Sequence, residues 1–261
     1  MTPPTNPPRL LLIAGATALL LLVVPVIGLL QRMPWSALRD ILSSDVVADA
    51  LRTSLVVSIT ATALAVLLGL PLAWVLARVP LPGRRVVRAI VILPMVLPPV
   101  VGGTALLFAL GRRGLVGQWL DQWFGIQLPF STSGAVIAAL FVSMPFFVVT
   151  VEAALHQAGV VHEEAAASLG ASPSRIFWRI TLPAIRPAIA AGAALTWARA
   201  LGEFGATIAF AGNSPGRTQT LPLATFVALE SEPEAALALS LVLLVVSFVV
   251  LVSLRDRLAV R

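Results

Sequence analysis

Long apolar stretches alternate along this 261-residue chain with short polar gaps that hold nearly all of its arginines. A helix crossing about 30 Å of hydrocarbon needs roughly 20 apolar residues, because there every backbone N–H and C=O must be bonded within the segment. Six stretches meet that requirement: Leu10–Leu30, Thr53–Ala77, Ala89–Leu110, Gly134–Val151, Pro187–Ala211 and Ala235–Leu254. The first is longer than the apolar core of a secretory signal, and no small-x-small cleavage site follows it, so it is expected to remain as a helix. The pattern predicts an all-α, polytopic membrane protein with six transmembrane helices. Residues 1–8, with their PPTNPP run, are expected to form a disordered polar arm. No Gly/Ser-rich linker divides the rest, so residues 1–261 are expected to be a single transmembrane domain.

Composition sharpens this reading. The chain is 58% hydrophobic and 11% charged, with a mean hydropathy of +0.96, too few charges to cover a water-soluble globule of this size. The net charge of +6 comes from arginine alone, since no lysine occurs. Those arginines sit in gaps between apolar runs rather than among polar and aromatic surface, which favours a lipid bilayer and argues against nucleic acid as a partner. Eleven flank the spans on one side (Arg9, Arg78, Arg84, Arg85, Arg88, Arg175, Arg179, Arg186, Arg255, Arg257, Arg261) and six on the other (Arg32, Arg39, Arg52, Arg112, Arg113, Arg217). The positive-inside bias then predicts both termini in the cytoplasm, and the longest cytoplasmic loop at about residues 152–186. The chain has no cysteine, which excludes disulfides, thiolate metal sites and cysteine nucleophiles.

That loop contains EEAAASLGASPSRIFWRITLP, Glu163 to Pro183. Two acids suit an early helical turn before the alanines, and Gly170 supplies a left-handed stop. Ser172 and Pro173 read as the cap and first position of a second helix, with Ile176, Phe177 and Ile180 on one face and Arg175 and Arg179 on another; Leu182 and Pro183 are expected to close it. By composition alone, such a helix–turn–helix is an amphipathic connector resting in lipid headgroups. The spacing goes further. Glu164, Ala165, Ala166, three residues, Gly170, nine residues, Ile180, one residue, Leu182 and Pro183 match, position for position, the EAA loop of ABC-importer permeases, which this chain resembles over essentially its whole length.

The resemblance implies the type I importer permease fold, in the bacterial inner membrane. It implies that these seven residues couple the chain to a cytoplasmic ATPase. Expected partners are a second copy of the chain, two ATPase subunits and a periplasmic oxyanion-binding protein. No GxxxxGK[ST] loop occurs, so ATP and magnesium are expected on the ATPase partner, and no cofactor or metal on this chain.

A second polar group lies inside the fifth apolar stretch. Arg199 and Glu203 stand four residues apart, close enough to pair, and an unpaired charge at that depth costs at least ~2.5 kcal/mol. Gly202 and Gly205 flank Glu203, and Ser214-Pro215-Gly216-Arg217 reads as a type II turn. Arg217, Thr218, Gln219 and Thr220 then offer donors at the outer mouth. Locked helix packing accounts for the ion pair as well as substrate contact does, and a solvated loop accounts for the donors. As a set, Arg199, Gly202, Glu203, Gly205, Arg217, Thr218, Gln219 and Thr220 are the candidates for the translocation path or its gate. RALGEFGATIAFAGN with PGRTQTLPLA looks more like molybdate-importer permeases than sulfate permeases, so the implied cargo is molybdate or tungstate, with sulfate or thiosulfate as the alternative.

Prolines 94, 98 and 99 are expected to kink or unwind the third span. Trp35, Trp119, Trp123 and Trp178 are expected in interfacial belts. An intramembrane enzyme lacks its parts: His156 and His162 are the only histidines, and HEEAA is not an HExxH zinc motif. A channel or secondary transporter would work without an ATPase, against which the EAA signature argues.

Overall fold

Three long helices lie side by side at the centre: α3 (Asp45–Arg78), α7 (Thr132–Ala158) and α10 (Leu182–Leu201). The computed structural model describes residues 8–258, so the arm expected at residues 1–8 falls, apart from Pro8, outside the described residues. Small residues let the three backbones approach. Phe147 of α7, fully buried, fills the space facing two glycines: a Cβ on Gly69 of α3 would stand 2.8 Å from its ring, and one on Gly192 of α10 3.3 Å from it. Buried Ala61, Ala135, Ala139 and Ala200 continue this seam. Lipid tails are as apolar as leucine, so close van der Waals packing of this kind, rather than escape from water, holds membrane helices together.

Around this centre the chain adds α1 (Arg9–Gln31), α2 (Leu38–Leu42), α4 (Arg84–Val96), α5 (Pro99–Leu110), α6 (Gly117–Phe124), α8 (Val161–Ser168), α9 (Pro173–Ile176), α11 (Gly205–Ala211), α12 (Leu221–Ser231) and α13 (Pro233–Leu258). No strand occurs among the described residues. Four unbroken helices, α1, α3, α7 and α13, are long and apolar enough to cross a membrane, and α4 with α5 makes a fifth such segment if the bent pair is counted as one span.

Two expected spans are not continuous helices. The third divides at Leu97–Pro98, where the chain turns through 118° between α4 and α5. Leu97 precedes a proline and is extended (ψ 135°), while Pro99 sits at the start of α5, where its missing N–H removes no helical bond. Pro94 stays inside α4. The fifth, expected as Pro187–Ala211, divides at Gly202–Phe204 into α10 and α11.

The second loop helix also differs from expectation, because Leu182 and Pro183 do not close it. From α9 the chain passes through a π turn, Phe177–Thr181, directly into α10. The ladder there widens so that the Leu182 N–H reaches the Phe177 carbonyl, and Pro183, which has no N–H to give, follows at the start of α10.

One end of the bundle gathers the end of α3, the start of α4, the end of α7 and the α8–α9 loop, as Arg78–Glu163 and Arg84–His156 contacts show. The start of α3 and of α7 meet the 214–217 turn at the opposite end: Thr132 Oγ1 donates to the Arg217 carbonyl, and Gly216 lies against Asp49. That turn has the expected form, with Gly216 at φ 68° and the Arg217 N–H bonded to the Ser214 carbonyl.

Candidate functional site

Helix α8 begins two residues after Gly159 and carries Glu163 and Glu164 in its first turn, where negative charge is favoured. It ends in a Schellman motif. Gly170 adopts φ 81°, its N–H reaches the Ala167 carbonyl, and the Ala171 N–H reaches back to Ala166. Ser172 then caps α9, its hydroxyl accepting from the Arg175 N–H, and Pro173 takes the first helical position. Helix, left-handed turn and second helix are therefore each specified by local chemistry.

What fixes this knob to the bundle is Glu163. Its carboxylate meets Arg78 of α3 in a forked pair, with Nε to Oε2 at 3.0 Å and Nη2 to Oε1 at 3.1 Å, and it also accepts the Thr181 hydroxyl at 2.9 Å. Arg78 donates further to the Gly159 carbonyl at 2.7 Å. Both side chains are mostly buried. Trp74 of α3 stacks edge-on against Phe177 in the π turn, giving a second anchor.

The residues expected to couple the chain to a partner divide by exposure. Glu164, Ala165 and Gly170 are exposed, and Ala166, Ile180, Leu182 and Pro183 are half-buried. At the turn between the two helices Leu169 is 89% exposed, and Val161 and Trp178 are exposed as well. The sequence marks Glu163 only as an early-turn acid. The signal that distinguishes it from Glu164 is Arg78, 85 positions away, which spacing along the chain does not reveal.

The break in the fifth span is organised by Glu203, which is 2% exposed. Its Oε1 accepts the Ala206 N–H at 2.8 Å, capping α11, and its Oε2 lies 2.6 Å from Arg199 Nη2. A helix start inside a membrane leaves N–H groups with no water to satisfy them, and a carboxylate there answers both the donors and the local positive dipole. Gly205 is a close-approach position: a Cβ on it would stand 2.7 Å from the Pro99 Cβ. The same tightness recurs one turn on, where a Cβ on Gly103 would stand 2.7 Å from Ala209 Cβ, so α11 and α5 leave the two breaks side by side. Gly202 is exposed, and a Cβ on it would meet the Ala198 carbonyl oxygen at 3.7 Å, an ordinary contact.

Of the group at the opposite end, Arg217 alone is exposed. Thr218, Gln219 and Thr220 are turned inward: Thr218 Oγ1 accepts the Ser214 N–H, and Leu221 beyond them donates to Ser54 of α3. Arg199 and Glu203 are brought together with Gly205, while Arg217 joins Arg52, Asp49, Thr53 and Thr132 around a cavity of about 200 Å³.

Residues 65–259 match the family described as the binding-protein-dependent transport system inner membrane component. The chain belongs to this family. It is 42% identical to the molybdenum transport system permease protein ModB of Mycobacterium tuberculosis, over 98% of this chain and 97% of that protein. The Escherichia coli ModB is 44% identical over 68% of this chain and 80% of its own. The sulfate transport system permease protein CysT of Salmonella typhimurium is 37% identical, over 90% and 86%. Among solved structures, a bacterial ABC transporter importing the acidic polysaccharide alginate aligns with a TM-score of 0.77 at 20% identity, covering 95% of this chain and 93% of that one. A bacterial alginate ABC transporter in complex with an alginate pentasaccharide-bound periplasmic protein aligns with a TM-score of 0.74 at 20% identity, covering 96% of this chain and 94% of that one.

The chain is thus a multi-pass inner-membrane permease component with the fold of ABC importers.

Proposed function

We propose that this chain is the membrane-spanning permease subunit of an ATP-driven importer of molybdate or tungstate. It is read as one permease domain with both termini in the cytoplasm, working as a homodimer around a central path. Two ATPase subunits, which bind ATP and magnesium, act from the cytoplasm, and a periplasmic binding protein delivers the oxyanion. The observation that carries the mechanical part is the α8–α9 knob, braced to α3 through Arg78–Glu163 yet exposing Leu169, Val161 and Trp178. Apolar exposure on a rigid, internally capped element fits a docking surface for another protein better than a flexible connector.

Through that brace, displacement of the knob is carried to α3 and through the π turn into α10, whose far end holds Arg199 and the break. Alternating access follows if ATP binding and binding-protein docking favour different arrangements of these helices, each by its differential affinity. The conducting route itself should bind weakly, because a tight site slows release. Arg199, Gly202, Glu203, Gly205 and the Arg217–Thr220 segment are proposed to line or support that route. Glu203 supports it through the α11 cap, and Arg199, 27% exposed at its side chain, is the member best placed to meet an anion.

The likeness to molybdenum permeases over almost the full length supports molybdate over sulfate. Sulfate remains the second reading, since it too is a tetrahedral dianion recognised by arginine and backbone donors, and sulfate permeases share 37% identity with this chain. Reconstitution with its ATPase and binding protein tests the proposal. ATP-dependent uptake of molybdate or tungstate exceeding that of sulfate is expected; preferred sulfate uptake would assign the chain to the second reading.

A further inference from the structure

Helix α4 starts with three cations in its first two turns, Arg84, Arg85 and Arg88, and has neither an acid in its first turn nor a side-chain cap. This is the unfavourable end for cations. A helix N-terminus carries roughly half a positive charge, so it repels arginine and attracts anions. The nearby carboxylate is Glu152 of α7, buried, which makes a hydrogen-bonded ion pair with Arg88 and lies 4.0 Å from Arg84 and 3.7 Å from His156. Three guanidinium groups face one carboxylate, so the cluster is net positive before His156 is counted.

The remaining donors are not consumed internally. Arg85 has no hydrogen-bond or ion-pair partner among the described residues, and the buried Nε of Arg84 has none either. Arg84, Arg85, Arg88 and His156, with Ala89 and Ile92 as an apolar wall, surround an open cavity of about 620 Å³ in the groove between α4 and α7. None of the residues expected to line the translocation path takes part.

We propose that this cavity is a binding site for a tetrahedral oxyanion, either free or as the phosphate of an anionic lipid headgroup. The guanidinium fork matches two oxygens of such a group, and the helix N-terminus adds to the same field. The apolar wall excludes water on one side, which strengthens each charge-assisted bond. A bound anion bridges α4 to α7 next to His156, three residues before Gly159, where the chain leaves α7 for the coupling knob. Occupancy therefore braces the base of that knob. The site stands whether or not the cargo is molybdate.

The test uses the full chain purified in an uncharged detergent, with two kinds of probe. Equilibrium dialysis measures molybdate and inorganic phosphate, and native mass spectrometry measures phosphatidylglycerol against phosphatidylcholine. Wild type is expected to retain at least one anionic probe, and Arg85→Gln to weaken that binding about tenfold, the equivalent of one lost charge-assisted contact. Arg85→Lys, which keeps the charge but loses the fork, is expected to fall between them. A loss seen in dialysis identifies a free oxyanion; a loss confined to phosphatidylglycerol identifies a lipid headgroup. Absence of binding by all three anionic probes, or binding equal in wild type and Arg85→Gln with matching thermal melts, overturns the proposal. Neither measurement involves uptake, so its failure leaves the transport reading intact.

Discussion

Arg78, in the last turn of α3, holds Glu163, in the first turn of α8, through a forked pair of 3.0 and 3.1 Å across 85 residues of chain. The pair is the joint between the docking knob and the central bundle. Because both side chains are mostly buried, removing one partner leaves the other desolvated and uncompensated, which typically costs about 3–5 kcal/mol.

Glu163→Ala is therefore expected to loosen the loop far more than Glu164→Ala, whose side chain is exposed. The expected result is faster limited proteolysis between Gly159 and Gly170 and a lower unfolding temperature in the first variant only. Equal protection of both would show that Glu163 does not hold the knob.

Gly170 separates a conformational cost from a docking cost. At φ 81° an alanine is strained by about 1–2 kcal/mol, whereas asparagine tolerates the left-handed region better. Among the described residues, chain neighbours aside, no atom lies within 4 Å of a Cβ built there, so bulk itself meets no other part of the described fold. Gly170→Asn should melt near wild type yet reduce co-purification with the ATPase, as Gly170→Trp should more strongly. Unchanged assembly in Gly170→Trp would show that the turn faces no partner.

For the broken fifth span, the ion pair and the cap predict an asymmetry. Arg199→Ala strands a carboxylate that is 2% exposed and is expected to cost about 3–5 kcal/mol. Adding Glu203→Gln should restore part of that, because the amide oxygen still accepts the Ala206 N–H without a buried charge. A double-mutant cycle on thermal unfolding measures the coupling; strictly additive effects would exclude it.

Phe147 predicts a packing effect independent of both sites. Phe147→Ala leaves a cavity between Gly69 and Gly192 and should destabilise the bundle by about 3–5 kcal/mol, read as loss of folded protein in detergent on heating. Gly69→Leu should be as harmful by overfilling the same space.

Features set by neighbours along the chain were legible in the sequence. The Gly170 stop, the Ser172-Pro173 start, the Gly216 turn and the Arg199–Glu203 pair all depend on contacts within four or five residues, and each is found as read. Features set by distant partners were not. Glu163 differs from Glu164 through Arg78 and Thr181, and the inward turn of Thr218 to Thr220 goes with Leu221 bonding to Ser54, 167 positions away. The two helix breaks fall between these cases. Prolines 98 and 99 and the glycines around Glu203 mark where they occur, but the 118° turn and the pairing of α5 with α11 require the tertiary fit of Gly103 and Gly205. The π turn gives no local warning beyond Pro183, whose missing donor it accommodates.

Because the chain contains no cysteine, Leu169→Cys places a single thiol at the turn of the knob, where the native side chain is 89% exposed. In the reconstituted importer, a short bifunctional reagent should join this thiol to the ATPase subunit, with a yield that changes on ATP binding and with loss of uptake once the link forms. A thiol that reacts only with lipid-phase reagents, or a crosslinked importer that transports normally, would contradict the claim that this loop carries work from the ATPase into the membrane.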